Sequence, residues 1–222
     1  MSLNPYIFIG ELHNEILDYV ISQTPTNPPE ITQMADLISD YYAANYASTN
    51  NIIEKSKMYS FLMNYYNELN GLTYSELKSF AMSRNGVSPY ARKFIDNTFI
   101  DYSSFTIDTL IDFYGTLQDD VISNTDVTNE MKQFPFFCTA IGIKSAEYWK
   151  YQYDNNTDWY PFISASPKGA NLADFIAGVL LFIIAKEMEE RKVEPRAGDI
   201  ILMVFFVALA SAMGSEFLDI GI

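Results

Sequence analysis

Among its 222 residues this chain holds one histidine, His13, and one cysteine, Cys138. One cysteine cannot close an internal disulfide, so thiol content does not assign a redox compartment. One histidine and one cysteine cannot fill the three or four places of a His/Cys zinc site. Di-iron bundles need two Glu-x-x-His motifs, and the chain has none. A cysteine nucleophile would need His13 as its base. Cys138 lies in the apolar run "FPFFCTAIG", where a thiol behaves as a small hydrophobe. Serine triads face the same shortage of histidine, and neither GxSxG, a P-loop nor GxGxxG occurs. No cofactor and no catalytic constellation are therefore expected.

Positive charge is also scarce. Fourteen Lys and Arg stand against 28 Asp and Glu, for a formal net charge of −14. Such a chain repels phosphate backbones, and no basic cluster reverses this locally, which removes nucleic acid from the expected partners. A protein or a small ligand is what remains. Apolar material, in contrast, is abundant. With 49% hydrophobic and 15% aromatic residues the chain is far from a disordered composition, and its length suits one domain spanning 1–222.

Helix signals recur throughout and hairpin-forming strands do not, which predicts an all-α bundle of about nine or ten helices. Asn4-Pro5 suits the cap and first position of a helix running to about Ser22, because proline lacks only an N–H that would be unpaired there. Asn27-Pro28 repeats the device before "EITQMADLISDYYAANYA", which places Ile31, Met34, Leu37, Ile38 and Tyr41 on one face. "STNN" breaks the chain, and a third helix from about Ile52 to Leu69 stops at Gly71. Thr73 with Glu76 forms a capping box, and Ser88-Pro89 opens a further helix. Ile107, Leu110, Ile111, Tyr114 and Leu117 recur at helical spacing in the next. Asp126 or Thr128 caps the one after it, within which Pro135 is expected to force a break or kink.

The last quarter is of another kind. The runs 175–185, "FIAGVLLFIIA", and 200–215, "IILMVFFVALASAMGS", are apolar on every side, so helices made from them must be surrounded. At 11 and 16 residues they fall short of the ~20 that cross a bilayer. The reading is a buried hairpin within 169–222 on which the amphipathic helices of 1–168 pack. Its counterpart is a membrane contact made through that hairpin.

Around His13, a wheel of about 100° per residue puts Leu12, His13, Ile16, Leu17 and Val20 on one arc. Glu11, Asn14, Glu15 and Asp18 fall on the other. His13 is then a core imidazole bonded to a backbone carbonyl or a hydroxyl, since an unpaired polar group inside costs about 1–3 kcal/mol. Asp154, Asn156 and Asp158 imitate the opening of a calcium loop, a weak metal-like pattern. The pattern fails at Trp159, where glycine makes the turn, and at Ala165, where a bidentate glutamate belongs.

Three stretches, "NPYIFIGELHN", "KSAEYW" and "LADFIAGV", resemble in order a group of uncharacterised bacterial proteins, mainly of the Bacteroidetes, that are generally exported. Carried over by position, the marked residues are Gly10, His13, Asn14, Tyr148, Trp149, Asp174 and Gly178. The resemblance implies an extracytoplasmic location, with a leader removed before "NPY", and no activity. The expected function is binding or assembly in the cell envelope or exterior. The alternative is a membrane-active protein on a colicin-like plan, whose hairpin 175–185 and 200–215 inserts into lipid. If the polar partner of His13 is Tyr148 or Asp174, the three resembling stretches meet at one point.

Overall fold

The computed structural model describes residues 4–23, 30–46, 55–69, 71–83, 87–158 and 174. The apolar stretches 175–185 and 200–215, Gly178, and the breaks at 24–29 and 47–54 lie outside the described residues. Within them the chain is an all-α bundle of seven helices. These are α1 (Ile7–Gln23), α2 (Ile31–Tyr46), α3 (Lys55–Leu69), α4 (Tyr74–Ser83), α5 (Pro89–Thr98), α6 (Ile107–Ser123) and α7 (Asn129–Asp154).

Local chemistry sets the ends of these helices. Asn4 Oδ1 accepts from the Tyr6 amide at 2.9 Å, so the residue before Pro5 caps the approach to α1. Thr73 and Glu76 form the reciprocal capping box, with the Thr73 amide donating to Glu76 Oε2 at 2.8 Å and the Glu76 amide to Thr73 Oγ1 at 3.4 Å. Ser88 caps α5 with Pro89 as its first residue, and Thr128 rather than Asp126 caps α7. Gly71, at φ 82°, occupies the left-handed conformation that follows α3. Pro135 does not break α7, which is one helix from Asn129 to Asp154. Only one amide donor is lost there, and the flanking residues Phe134 and Phe137 are buried, so packing outweighs the proline penalty.

α7 is the organising helix. α6 runs antiparallel to it: Lys132 Nζ donates to the Ile122 carbonyl at 3.2 Å near one end, and Lys150 pairs with Asp108 at 3.3 Å near the other. α1 runs parallel to it, in a near-constant register. Asn4 Nδ2 donates to the Phe136 carbonyl, Asn14 Nδ2 to the Lys144 carbonyl, and Tyr148 to Asp18. Parallel neighbours need a long connection, and α2 to α6 supply it. On the way, α4 and α5 form an antiparallel hairpin, tied by Lys78–Asp96 at 2.8 Å and Tyr74 Oη to the Ile100 carbonyl at 3.2 Å. Phe94 of α5 meets Phe134 of α7 edge-on at 5.5 Å. The largest fully buried side chains include Ile9, Ile16, Leu17, Ile38, Tyr114, Phe137 and Trp149, which puts the core between α1, α2, α6 and α7.

Among the described residues, several lysines form ion pairs between helices. Lys55 of α3 reaches Asp36 and Asp40 of α2 at 2.9 and 2.6 Å, and the hydrogen bonds to Asp40 and then Asp36 raise its ammonium pKa. Lys150 likewise joins Asp108 and Asp154. These pairs are solvent-exposed and individually worth no more than about 1 kcal/mol. They relieve the repulsion among acidic helices more than they hold the core.

The wheel placed Asn14 and Asp18 on the face away from the core; Asp18 is exposed as expected, whereas half-buried Asn14 turns its amide onto α7. Gly10, Asn14 and Asp18 form an i, i+4, i+8 row that lies along α7. At Gly10 the helices come so close that a Cβ would sit 2.5 Å from Lys144 Cβ and 2.6 Å from the Ala140 carbonyl oxygen. Both belong to α7, and the second is backbone, so neither moves aside cheaply. Gly10→Ala is therefore expected to destabilise the fold by about 1–3 kcal/mol despite its gain in helix propensity. Urea unfolding of the variant measures this, and an unchanged midpoint would remove the close-approach argument.

Candidate functional site

His13 sits on the inner face of α1 and is fully buried. Its Nδ1 lies 2.9 Å from Asn14 Oδ1, and Asn14 in turn donates from Nδ2 to the Lys144 carbonyl at 3.2 Å. Its other nitrogen, Nε2, faces Asp174 Oδ2 at 3.6 Å. The described partners of the ring are thus a side-chain amide on one side and, on the other, a carboxylate brought in from a distant part of the chain.

Asp174 is itself fully buried. Its Oδ2 accepts a hydrogen bond from the indole Nε1 of Trp149 at 2.8 Å and another from the Ser145 hydroxyl. Ser145 and Trp149 are four residues apart on α7, so their donors project from one face, and α7 supplies both. Burying a carboxylate is costly unless donors and opposite charge surround it. Here α7 supplies the donors and α1 the imidazole. Tyr114 of α6 is fully buried and close enough to this carboxylate to feel its charge. Its hydroxyl pKa is driven well above the ordinary phenol value, by burial first and then by Tyr102, Asp174 and Tyr74.

Tyr148 works a little farther along the same seam. Its hydroxyl donates to Asp18 Oδ1 at 2.7 Å, and its ring stands edge-on to Trp149 at 5.1 Å and 79°. The three stretches singled out in the sequence therefore meet: Gly10, His13, Asn14, Tyr148, Trp149 and Asp174 line one seam between α1, α7 and residue 174. Sequence reasoning missed Ser145, Asp18 and Tyr114. The i, i+4 spacing of Ser145 and Trp149 within "KSAEYW" was the available signal for the first.

A second polar cluster went unnoticed in the sequence beyond its capping role. Asn4 is 4% exposed, and its Nδ2 donates to Gln118 Oε1 at 2.7 Å and to the Phe136 carbonyl at 2.8 Å, with Thr139 Oγ1 at 3.4 Å. One side chain thereby joins the start of α1 to both α6 and α7.

The remaining candidates separate from this seam in character. Cys138 is fully buried on α7, and burial pushes its thiol well above the ordinary range, the opposite of an activated nucleophile. Asp154 ends α7 and pairs with Lys150 at 3.0 Å, while Asn156 adopts φ 47°, a left-handed turn that asparagine tolerates. Asp154, Asn156 and Asp158 are thus a helix terminus and its turn. Among the described residues no group of three His, Cys, Asp or Glu side chains is placed to hold a metal ion.

Removing the Asp174 carboxylate takes away the acceptor that the buried Trp149 indole and Ser145 hydroxyl donate to and that the His13 ring faces. Asp174→Ala is expected to cost about 3–5 kcal/mol, whereas Tyr148→Phe, which loses one half-exposed hydrogen bond, is expected to cost about 1 kcal/mol. Chemical denaturation of the two variants checks the order. Equal losses would mean that Asp174 contributes no more than an ordinary hydrogen bond.

Comparison with known protein families, with curated proteins and with solved structures finds no match to this chain, so its site is read from its own geometry alone.

Proposed function

We propose that this chain is a non-catalytic helical protein of the bacterial cell envelope or exterior, acting by binding or assembly. The observation that carries the reading is the full burial of both His13 and Asp174. The polar atoms that a reaction would need are turned to Asn14, Ser145 and Trp149, where they join segments of the fold. A substrate would have to part α1 from α7 to meet them. The extracytoplasmic location is part of the same proposal and is taken from the sequence expectation alone. Fractionation of the source cells, followed with an antibody against this chain, tests it. Recovery in the envelope or the medium is expected, and recovery confined to the cytosol overturns the reading.

A second reading rests on where Asp174 sits. It directly precedes the apolar run 175–185, so the buried seam holds the chain at the foot of the stretch best suited to lipid. In this reading the protein is membrane-active, and the apolar pair 175–185 and 200–215 inserts once the seam opens. Among the described residues no helix is long and apolar enough to cross a membrane. Acid favours insertion, because neutralising carboxylates of a −14 chain weakens its repulsion from anionic lipid. Dye release from anionic vesicles at about pH 4, near the ordinary carboxylate pKa, is the expected result. Vesicles that stay tight there and at neutral pH would eliminate this reading.

A further inference from the structure

We propose that His13 and Asp174 form a buried imidazolium–carboxylate latch, with Asn14 orienting the imidazole, that fastens the chain at residue 174 onto α1 and α7. The argument starts from Lys144. Its backbone carbonyl can only accept, so the Asn14 group 3.2 Å from it is the amide NH₂. That orientation leaves the Asn14 oxygen 2.9 Å from His13 Nδ1, and an oxygen in that position requires a proton on Nδ1. The state of the ring is then decided at Nε2, which faces Asp174 Oδ2 at 3.6 Å.

Two arrangements satisfy Nδ1. In the first the ring is neutral and Nε2 presents a lone pair toward the carboxylate. In the second Nε2 also carries a proton and the ring is cationic. The surroundings of Asp174 select the second. Its Oδ2 accepts from the Trp149 indole and from the Ser145 hydroxyl, and donors of this kind favour the ionised carboxylate. An ionised carboxylate without solvent exposure needs a counter-charge, and His13 provides it at ion-pair distance. Among the described residues, His13 from α1 and Ser145 and Trp149 from α7 meet the carboxylate, with Tyr114 of α6 near enough to feel its charge. The tyrosine is kept in its neutral form by burial. The pair is neutral as a whole, which is how two ionised groups remain in the core of an acidic protein.

Because the chain has a single histidine, its imidazole nitrogens give one unambiguous set of signals. The test is ¹⁵N NMR of the full chain labelled at histidine, at neutral pH. Protons on both nitrogens are expected in the native protein. A bare Nδ1, or a bare Nε2, in the native spectrum overturns the latch without recourse to any variant. Asp174→Asn should then convert the ring to the neutral form with the proton kept on Nδ1, a loss of one nitrogen-bound proton. In a Trp159→Phe background, where Trp149 is the sole indole, the same change should shift its emission to the red. A ring that stays cationic in Asp174→Asn shows that Asp174 is not its counter-charge. Unshifted Trp149 emission shows that residue 174 is not what the latch fastens. The outcome is independent of where the protein resides in the cell.

Discussion

The buried carboxylate of Asp174 is the constraint around which the rest of this bundle is arranged. An ion of that kind in a core is tolerated only where donors and an opposite charge converge on it. Meeting that demand takes Ser145 and Trp149 from one face of α7 and His13 from α1, at 2.8 Å for the indole and 3.6 Å for the imidazole. Those positions in turn require α1 and α7 to run parallel in a single register, since a shift of either helix by one turn would carry His13 away from the Ser145–Trp149 face. The long passage through α2 to α6 follows from that parallel pairing, because a short loop joins only antiparallel neighbours.

Two further devices hold the register. Gly10 lets the helix axes approach where any side chain would strike Lys144 and Ala140. Asn4 pins the start of α1 to Gln118 and to the Phe136 carbonyl. With Asn14 on Lys144 and Tyr148 on Asp18, the seam is bonded at intervals along most of α1. Apolar burial drives α1 against α7, but it is indifferent to small sliding, and the polar contacts select one alignment. Specificity of register, more than net stability, is what such contacts contribute. The same seam bears on both functional readings, since it either keeps an envelope protein rigid for binding or restrains the stretch that follows residue 174.

Much of the helical layout could be read along the chain. Caps are local chemistry, so the Thr73–Glu76 box and Ser88-Pro89 appear where the residues placed them. Burial on α6 follows its period, with Leu110, Tyr114, Leu117 and Val121 inside. Two expectations failed for the same reason, that local rules do not contain tertiary contacts. Of the break or kink expected at Pro135, the break does not occur, since α7 packs against helices on several sides and continues through it. The wheel turned Asn14 away from the core, yet its amide reaches the Lys144 carbonyl of α7, one turn beyond the close approach at Gly10. Ser145 drew no attention, since a lone serine in a helix is chemically ordinary until a carboxylate is placed beside it.

Composition and spacing alone determined that the chain is helical, that His13 points inward, and that one histidine and one cysteine cannot fill a His/Cys zinc site. These depend on residue counts and on a periodicity of about 3.6 residues, both properties of neighbours in the chain. Only the tertiary structure decided what His13 meets. Asp174 stands 161 positions away (174 − 13), and no local pattern specifies which of 28 acidic side chains will be carried to a buried imidazole. That choice is made by packing, through a glycine that lets two helices touch and a helix face that gathers two donors around one carboxylate oxygen.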